Sequence, residues 1–194
     1  MLHRLRRAGL RTETFGYAAA LEDFDAIVIR LQRRLSALAM QGEYMVVGHS
    51  LGGVLLRAAL TTFPKDAGLP RHAFLLGSPL KEARLATRFQ RNLLFRVLAG
   101  DCGQLLGSPG RMGAIAALSI PTTAVVGVKG FQRKFGPFGM EMNDGVVSVS
   151  EVVAPWLANQ IQVQVVHTLL PSSQLVANII LRVVREIWLA DRLG

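Results

Sequence analysis

The chain has 194 residues, 51% of them hydrophobic, and a formal net charge of +9, with a mean hydropathy of +0.34. That length provides one domain with a sizeable core and excludes two ordinary ones. The apolar content suits a buried parallel sheet, and no uncharged apolar run reaches the roughly 18 residues of a spanning helix. The single cysteine, Cys102, excludes an internal disulfide and fits a reducing compartment. The basic start, Met1 to Leu10, lacks the apolar core of a signal peptide, so a cytoplasmic location is expected. Basic residues are dispersed, with small clusters at Arg4-Arg6-Arg7, Arg33-Arg34 and Arg84-Arg88-Arg91. No nucleic-acid motif accompanies them, so they read as solvated helix faces, and only a weak contact with anionic lipid is left open.

In chain order, residues up to Ala8 read as helix with Gly9 as its C-cap. Arg11 to Tyr17 alternates and is rich in β-branched and aromatic residues, which predicts a strand. Phe24, Ile27, Val28, Leu31, Leu35 and Leu38 recur at helical spacing and predict an amphipathic helix over Leu21–Met40, ended near Gly42. Tyr44–Val47 is the next strand, followed by a helix to about Phe63, stopped by Pro64. His72–Gly77 is a short buried strand. Lys81–Leu98 is a helix with Leu85, Phe89, Leu93 and Val97 on one face, Gly100–Gly113 is irregular, and Ala114–Leu118 is a short helix. Pro121–Val128 is a core strand, and Lys129–Asp144 a long Gly- and Phe-rich loop of the kind that carries function. Ile161–Val166 is the last strand, and Pro171 opens a final helix to about Ala190. Strands alternate with helices, so the fold class is α/β: a mostly parallel sheet with helices on both faces.

Between the second strand and its helix lies Gly48-His49-Ser50-Leu51-Gly52. A G-x-S-x-G sequence between strand and helix is the context of a nucleophile elbow, in which the serine tops a strained turn. The glycines two residues before and two after Ser50 are expected to let the backbone fold back. The helix that follows favours negative charge at its start, which makes the Leu51 amide a candidate oxyanion donor. A serine hydroxyl needs a base and a group that orients the base. Of the four histidines, His3 precedes every strand, His49 lies inside the turn, and His72 begins a strand at the wrong end of the sheet. His167 follows the last strand and is the candidate base. Asp144, in Asn143-Asp144-Gly145, is the candidate acid, with Asp101 and then Asp66 as alternatives. No His or Cys pair has metal-ligand spacing, and no phosphate or dinucleotide fingerprint occurs, so neither metal nor cofactor is implied.

Together, Gly48-His49-Ser50-Leu51-Gly52-Gly53, Asn143-Asp144-Gly145-Val146-Val147, Gly77-Ser78-Pro79 and His167 resemble the α/β-hydrolase superfamily, and within it the bacterial lipase- and esterase-like branch. The resemblance spans Arg11 to Leu189. It implies a serine hydrolase cleaving carboxylic esters, lipid esters among them, through Ser50, His167 and Asp144, with the Leu51 N–H helping to hold the oxyanion. Members of that superfamily begin with further strands, the third of which carries a His-Gly pair whose loop supplies a second oxyanion amide. No His-Gly pair occurs here, so the resemblance implies an amino-terminally shortened domain with an exposed sheet edge; residues around Tyr17 are candidates for the second donor. The whole chain, residues 1–194, is expected to form one such domain, with 80–118 as a cap over the site and Phe131–Phe138 as another wall. The competing expectation is a non-catalytic module of the same fold that binds a partner or a lipid surface. Oligomeric state is not legible.

Overall fold

A computed structural model describes residues 1–64, 67–89 and 93–193. Four short strands, β1 (Val46–His49), β2 (Ala73–Leu76), β3 (Thr122–Gly127) and β4 (Asn159–Val163), form one parallel sheet in the order β1-β2-β3-β4. The register sets His49 beside Leu76 and Leu76 beside Val125, so the carboxyl ends of the first three strands align along one edge. Buried on both faces, β2 and β3 are continuously apolar or small, as parallel strands between helix layers require.

One face packs against α2 (Phe24–Ala39) and α3 (Leu51–Thr61). Phe24, Ile27, Val28, Leu31 and Leu35 supply the α2 stripe, and Val54, Leu55 and Ala59 meet it from α3. The other face, carrying Phe74, Leu76, Val125 and Val163, is covered by α7 (Gln174–Leu193) through Val176, Ile180 and Val184, with Leu5 of α1 (Leu2–Arg7) at its margin. Between β2 and β3 run α4 (Arg84–Phe89), α5 (Leu93–Leu106) and α6 (Pro109–Ala114). Among the described residues no helix is long and apolar enough to cross a membrane.

Several expectations are corrected. Arg11–Tyr17 is not a strand: no backbone N–H of these residues donates to another backbone group among the described residues, so the β pattern lacks a ladder. The Gly100–Gly113 stretch is not irregular but mostly helical; Gly100, at φ 59°, only breaks α5 internally, where a Cβ would meet the Ala19 carbonyl at 2.8 Å. The short helix expected at Ala114–Leu118 lies earlier, at Pro109–Ala114, capped by the Ser108 side chain. Pro171 sits inside a 3-10 turn, His167–Ser172, and α7 begins after it. Strand boundaries move by about two residues, as the start of β1 at Val46 and the end of β4 at Val163 show. Of the apolar face expected from Leu85, Phe89, Leu93 and Val97, the side chains of the last three lie outside what the structure describes.

Helix α3 meets β1 backbone to backbone. A Cβ at Gly48 would stand 2.5 Å from Gly53 Cα, and a Cβ at Gly53 would stand 2.1 Å from Ser78 Oγ. Ser78 is buried there and donates to the Gly48 and Leu76 carbonyls, each at 3.3 Å. Gly52, by contrast, has room: its Cβ would meet nothing nearer than the Tyr17 hydroxyl at 3.6 Å. The tight glycines are therefore Gly48 and Gly53, not the second glycine of the G-x-S-x-G pattern.

Arg57 clamps the back of α3. Its buried guanidinium donates to the carbonyls of Leu80 (3.1 Å), Ile115 (2.7 Å) and Ala116 (3.3 Å), and burial lowers its pKa to about 10, where it is still charged at neutral pH. His72, also buried, meets Thr123 Oγ1 at 2.9 Å.

Two outcomes follow from this packing. Gly53→Ala should lower stability by about 1–3 kcal/mol through overpacking, Gly52→Ala should cost clearly less, and Ser78→Gly should recover part of the Gly53→Ala loss in a double-mutant cycle read by urea denaturation. Burial also pushes the pKa of His72 below the ordinary histidine value of about 6.5. The unfolded chain then binds the extra proton first, so this contribution is complete above 6.5 and is lost as pH falls below it. The urea midpoint should decline on acidification from about pH 7 to about pH 5, and His72→Gln should flatten that decline.

Candidate functional site

The site is assembled where the carboxyl ends of the strands converge. Ser50 follows β1 directly and has φ 53° and ψ −125°, the one non-glycine residue with positive φ among the described residues. Such backbone costs on the order of 1–3 kcal/mol and persists only where neighbours over-determine it. Here the Ser50 amide donates to the Leu76 carbonyl (2.9 Å) and the Ser50 carbonyl accepts from Gly53 (3.0 Å), while the close packing of Gly48 on Gly53 leaves no relaxed alternative. Leu51 opens α3, so its amide is the first of the helix and lacks an intrahelical acceptor. Among the described residues the Ser50 hydroxyl makes no hydrogen bond, to His167 or otherwise.

His167 and Asp144, widely separated in sequence, are brought together. His167 Nδ1 lies 2.7 Å from Asp144 Oδ2, and the His167 amide donates to the Asp144 carbonyl at 2.9 Å. Both are buried, at 5% and 1% exposure. The second carboxylate oxygen, Oδ1, is taken by the amides of Val146 (2.9 Å) and Val147 (2.8 Å), which fixes the rotamer of Asp144. With Nδ1–H donating to Asp144, the tautomer leaves Nε2 of His167 as the free acceptor.

Two further groups touch the pair. The imidazole of His49, one residue before Ser50, has its ring centroid 4.7 Å from that of His167, and its Nε2–H donates to the His167 carbonyl at 3.1 Å. Burial first, and then the neighbouring His167, lower the pKa of His49 and favour its neutral form. Gly77, just after β2, lies under the pair: at φ 53°, a Cβ there would stand 3.0 Å from both Asp144 Oδ2 and His167 Nδ1. Neither role was visible in the sequence, although the Gly77-Ser78-Pro79 step marked the position.

The loop that carries Asp144 is held from outside the site. Ser148 and Glu151 form a reciprocal capping box, a pattern legible as Ser-x-x-Glu, and the buried Glu151 carboxylate also accepts from the Arg84 amide at 2.6 Å. Arg84 in turn bonds Ser148, Ser150 and Glu141. Burial alone would raise the pKa of Glu141, but hydrogen bonds from Ser150 and Arg84 outweigh it and bring it to about 2. In the Phe131–Phe138 loop, Phe138 is buried near Arg84, whereas Phe131 and Phe135 are exposed.

The alternative acids are not at the site. Asp101 accepts both Arg111 nitrogens (2.6 and 3.0 Å) and the Phe24 amide (3.0 Å), and the Arg111 hydrogen bond holds its carboxyl below the usual range. It ties helices together. Asp66 lies outside the described residues. Among the described residues no three His, Cys, Asp or Glu side chains group as metal ligands would.

No known family profile matches the sequence, and no curated protein does. Solved structures do. A hydrolase of the α/β superfamily from Xanthomonas campestris pv. campestris, described as putative, superposes with a TM-score of 0.61 at 16% identity, over 95% of this chain and 86% of that one. The mature lipase BlEst2 of Bacillus licheniformis gives 0.59 at 20% identity, over 75% of this chain and 68% of the lipase. The phospholipase PlaB of Legionella pneumophila gives 0.59 at 15% identity, over 78% of this chain but 40% of the phospholipase. At such identities the likeness is one of architecture: the chain has the α/β-hydrolase fold.

Proposed function

We propose that this chain is a serine hydrolase of carboxylic esters, lipid esters among them, acting through Ser50, His167 and Asp144. One observation carries the reading. A serine in strained backbone at the head of a helix shares a sheet edge with a buried His–Asp pair whose free imidazole nitrogen is Nε2. An isolated βα turn has no need of the strain, and a structural histidine has no need of a carboxylate immobilised by two amides.

The steps follow from the positions. Ser50 Oγ attacks the acyl carbon while His167 Nε2 takes its proton, and Asp144 stabilises the imidazolium and holds its orientation. The carbonyl oxygen, now negative, is received by the Leu51 N–H at the start of α3. The tetrahedral adduct collapses, the C–O bond to the alcohol breaks, and His167 returns the proton to the leaving oxygen. Water, deprotonated by His167, then attacks the acyl-enzyme and releases the carboxylic acid and Ser50. Residues Leu80–Leu118, tied to the Asp144 loop through Arg84, and the exposed Phe131 and Phe135 are our candidates for the surface that meets the acyl chain.

A second reading, a non-catalytic module of this fold, is favoured by the absence of a hydrogen bond from Ser50 to His167. A fluorophosphonate probe separates the two. Hydrolysis predicts one adduct, on Ser50, abolished by Ser50→Ala; a folded protein that gives no adduct would exclude it. Asp144→Asn should reduce p-nitrophenyl ester turnover by about 10³–10⁴-fold while circular dichroism is unchanged, because the wrong tautomer of His167 then faces the serine.

A further inference from the structure

The loop between β3 and Asp144 projects side chains that the packing of the fold does not use. Its base is fixed: the Gly130 amide donates to the Asn143 carbonyl (2.7 Å), and Asn143 Nδ2 donates to the Phe131 carbonyl (3.2 Å). Farther out, the Arg133 amide donates to the Gly139 carbonyl (3.0 Å) and the Gly136 amide to the Arg133 carbonyl (2.8 Å), which closes a tip over residues 133–139. Phe138 is turned inward and buried, with Arg84 Cζ 5.9 Å from its ring centroid. Phe131 and Phe135 are turned outward, 83% and 89% exposed, and Met140 is exposed as well. A loop tied at base and tip, with one phenylalanine anchored, holds the other two in water by construction.

The cations sit with the rings. Arg133 Cζ lies 5.7 Å from the centroid of Phe131, and Lys134 Nζ lies 5.9 Å from that of Phe135. Lys129 is exposed at the foot of the loop. Among the described residues none of the three pairs with a carboxylate. Glu141 is the one acidic residue between Lys129 and Asn143, and it is held by Arg84 and the Ser150 amide. The tip is therefore positive and apolar at once, which fits a partner negative at its surface and hydrocarbon within. An acidic protein surface in water would neutralise the cations and leave both rings exposed. A single-stranded nucleic acid would need the ring faces for stacking, where Arg133 and Lys134 already sit, and would have no use for Met140. We infer that the loop over residues 129–142 docks this protein on an anionic phospholipid bilayer, with Phe131, Phe135 and Met140 at the acyl boundary and Lys129, Arg133 and Lys134 against lipid phosphates. Lysine and arginine suit that level, because their stems lie along apolar surface while their heads stay with the phosphates. The loop leaves the carboxyl end of β3, on the sheet edge that carries Ser50, so docking brings that edge close to the bilayer. The acyl chains that Phe131 and Phe135 meet are then those of the bilayer. The inference does not rest on hydrolysis at Ser50.

The test uses the whole chain and vesicles of ether-linked phosphatidylcholine, with or without about 30% ether-linked phosphatidylglycerol, which an esterase cannot cleave. Binding is read by cosedimentation. The chain is expected to bind the anionic vesicles at least about tenfold more tightly than the neutral ones. The double variant Phe131→Ser/Phe135→Ser leaves the net charge unchanged and should weaken anionic binding by about tenfold or more. Lys129→Gln, Arg133→Gln and Lys134→Gln should each weaken it by about fivefold. Anionic vesicles should also shift the emission of Phe135→Trp to the blue, relative to the unsubstituted chain. All of these positions are exposed, so circular dichroism should be unchanged. The inference is overturned if the chain does not bind anionic vesicles, if it binds neutral ones equally well, or if Phe135→Trp shows no shift. It is equally overturned if the double phenylalanine variant binds as tightly as the unsubstituted chain, which would assign the attraction to the net charge of +9 alone. It also falls if a short single-stranded RNA binds more tightly than the vesicles and loses that binding in the same variant. The fluorophosphonate adduct at Ser50 is a separate readout, so failure of docking and failure of hydrolysis are told apart.

Discussion

The contact on which the structure depends is the one between the backbones of Gly48 and Gly53. It seats α3 on the end of β1 with no side chain between them, and Ser50 then has φ 53°. The same approach places Ser78 over Gly53 and brings its hydroxyl to the Gly48 and Leu76 carbonyls. Turn, helix and the end of β2 are thus one packed unit. The strain at Ser50, of order 1–3 kcal/mol, is distributed over hydrogen bonds to Leu76 and Gly53 and over the buried face of α3.

The His–Asp pair is positioned by a different logic. It rests on polar satisfaction rather than on close packing: both oxygens of Asp144 are occupied, and its loop is closed by the Ser148–Glu151 box and the Arg84 bonds. Glu151 is 1% exposed and would be costly there without its donors. With them it fixes the start of the segment that follows Asp144. His49, the chain neighbour of Ser50, and Gly77, just after β2, both pack against the His167–Asp144 pair.

Much of the fold was legible because parallel strands advertise themselves as short apolar runs, and the helical periodicity of Phe24, Ile27, Leu31 and Leu35 is unambiguous. That His167 and Asp144 meet was legible from their places after two predicted strands together with their order along the chain. What failed did so for identifiable reasons. Arg11–Tyr17 carries a strand pattern, but strand formation needs a partner, and propensity cannot supply one. Gly100 and Gly103 suggested irregular chain, yet tertiary packing of Cys102 and Leu105 against α2 and α3 overrides the local preference. The role assigned to Gly52 belonged to Gly53, because the pattern gives spacing and only the fold gives which Cα touches which. His49, placed by adjacency as a bystander, turned out to touch His167 through space.

The sheet order follows the chain order, and the layer formed by α7 comes last. During synthesis, Phe74 and Leu76 emerge about a hundred residues before Val176, an interval on the order of 5–20 s at ordinary elongation rates. Through that interval the first face can close, since α2 and α3 are already available, but the face bearing Phe74, Leu76 and Val125 has no cover. The nascent chain therefore carries a half-clad parallel sheet, with unshielded aromatic and branched side chains, until α7 leaves the ribosome. Translation speed between the codons for β2 and those for α7, and chaperone access to that one face, become determinants of yield.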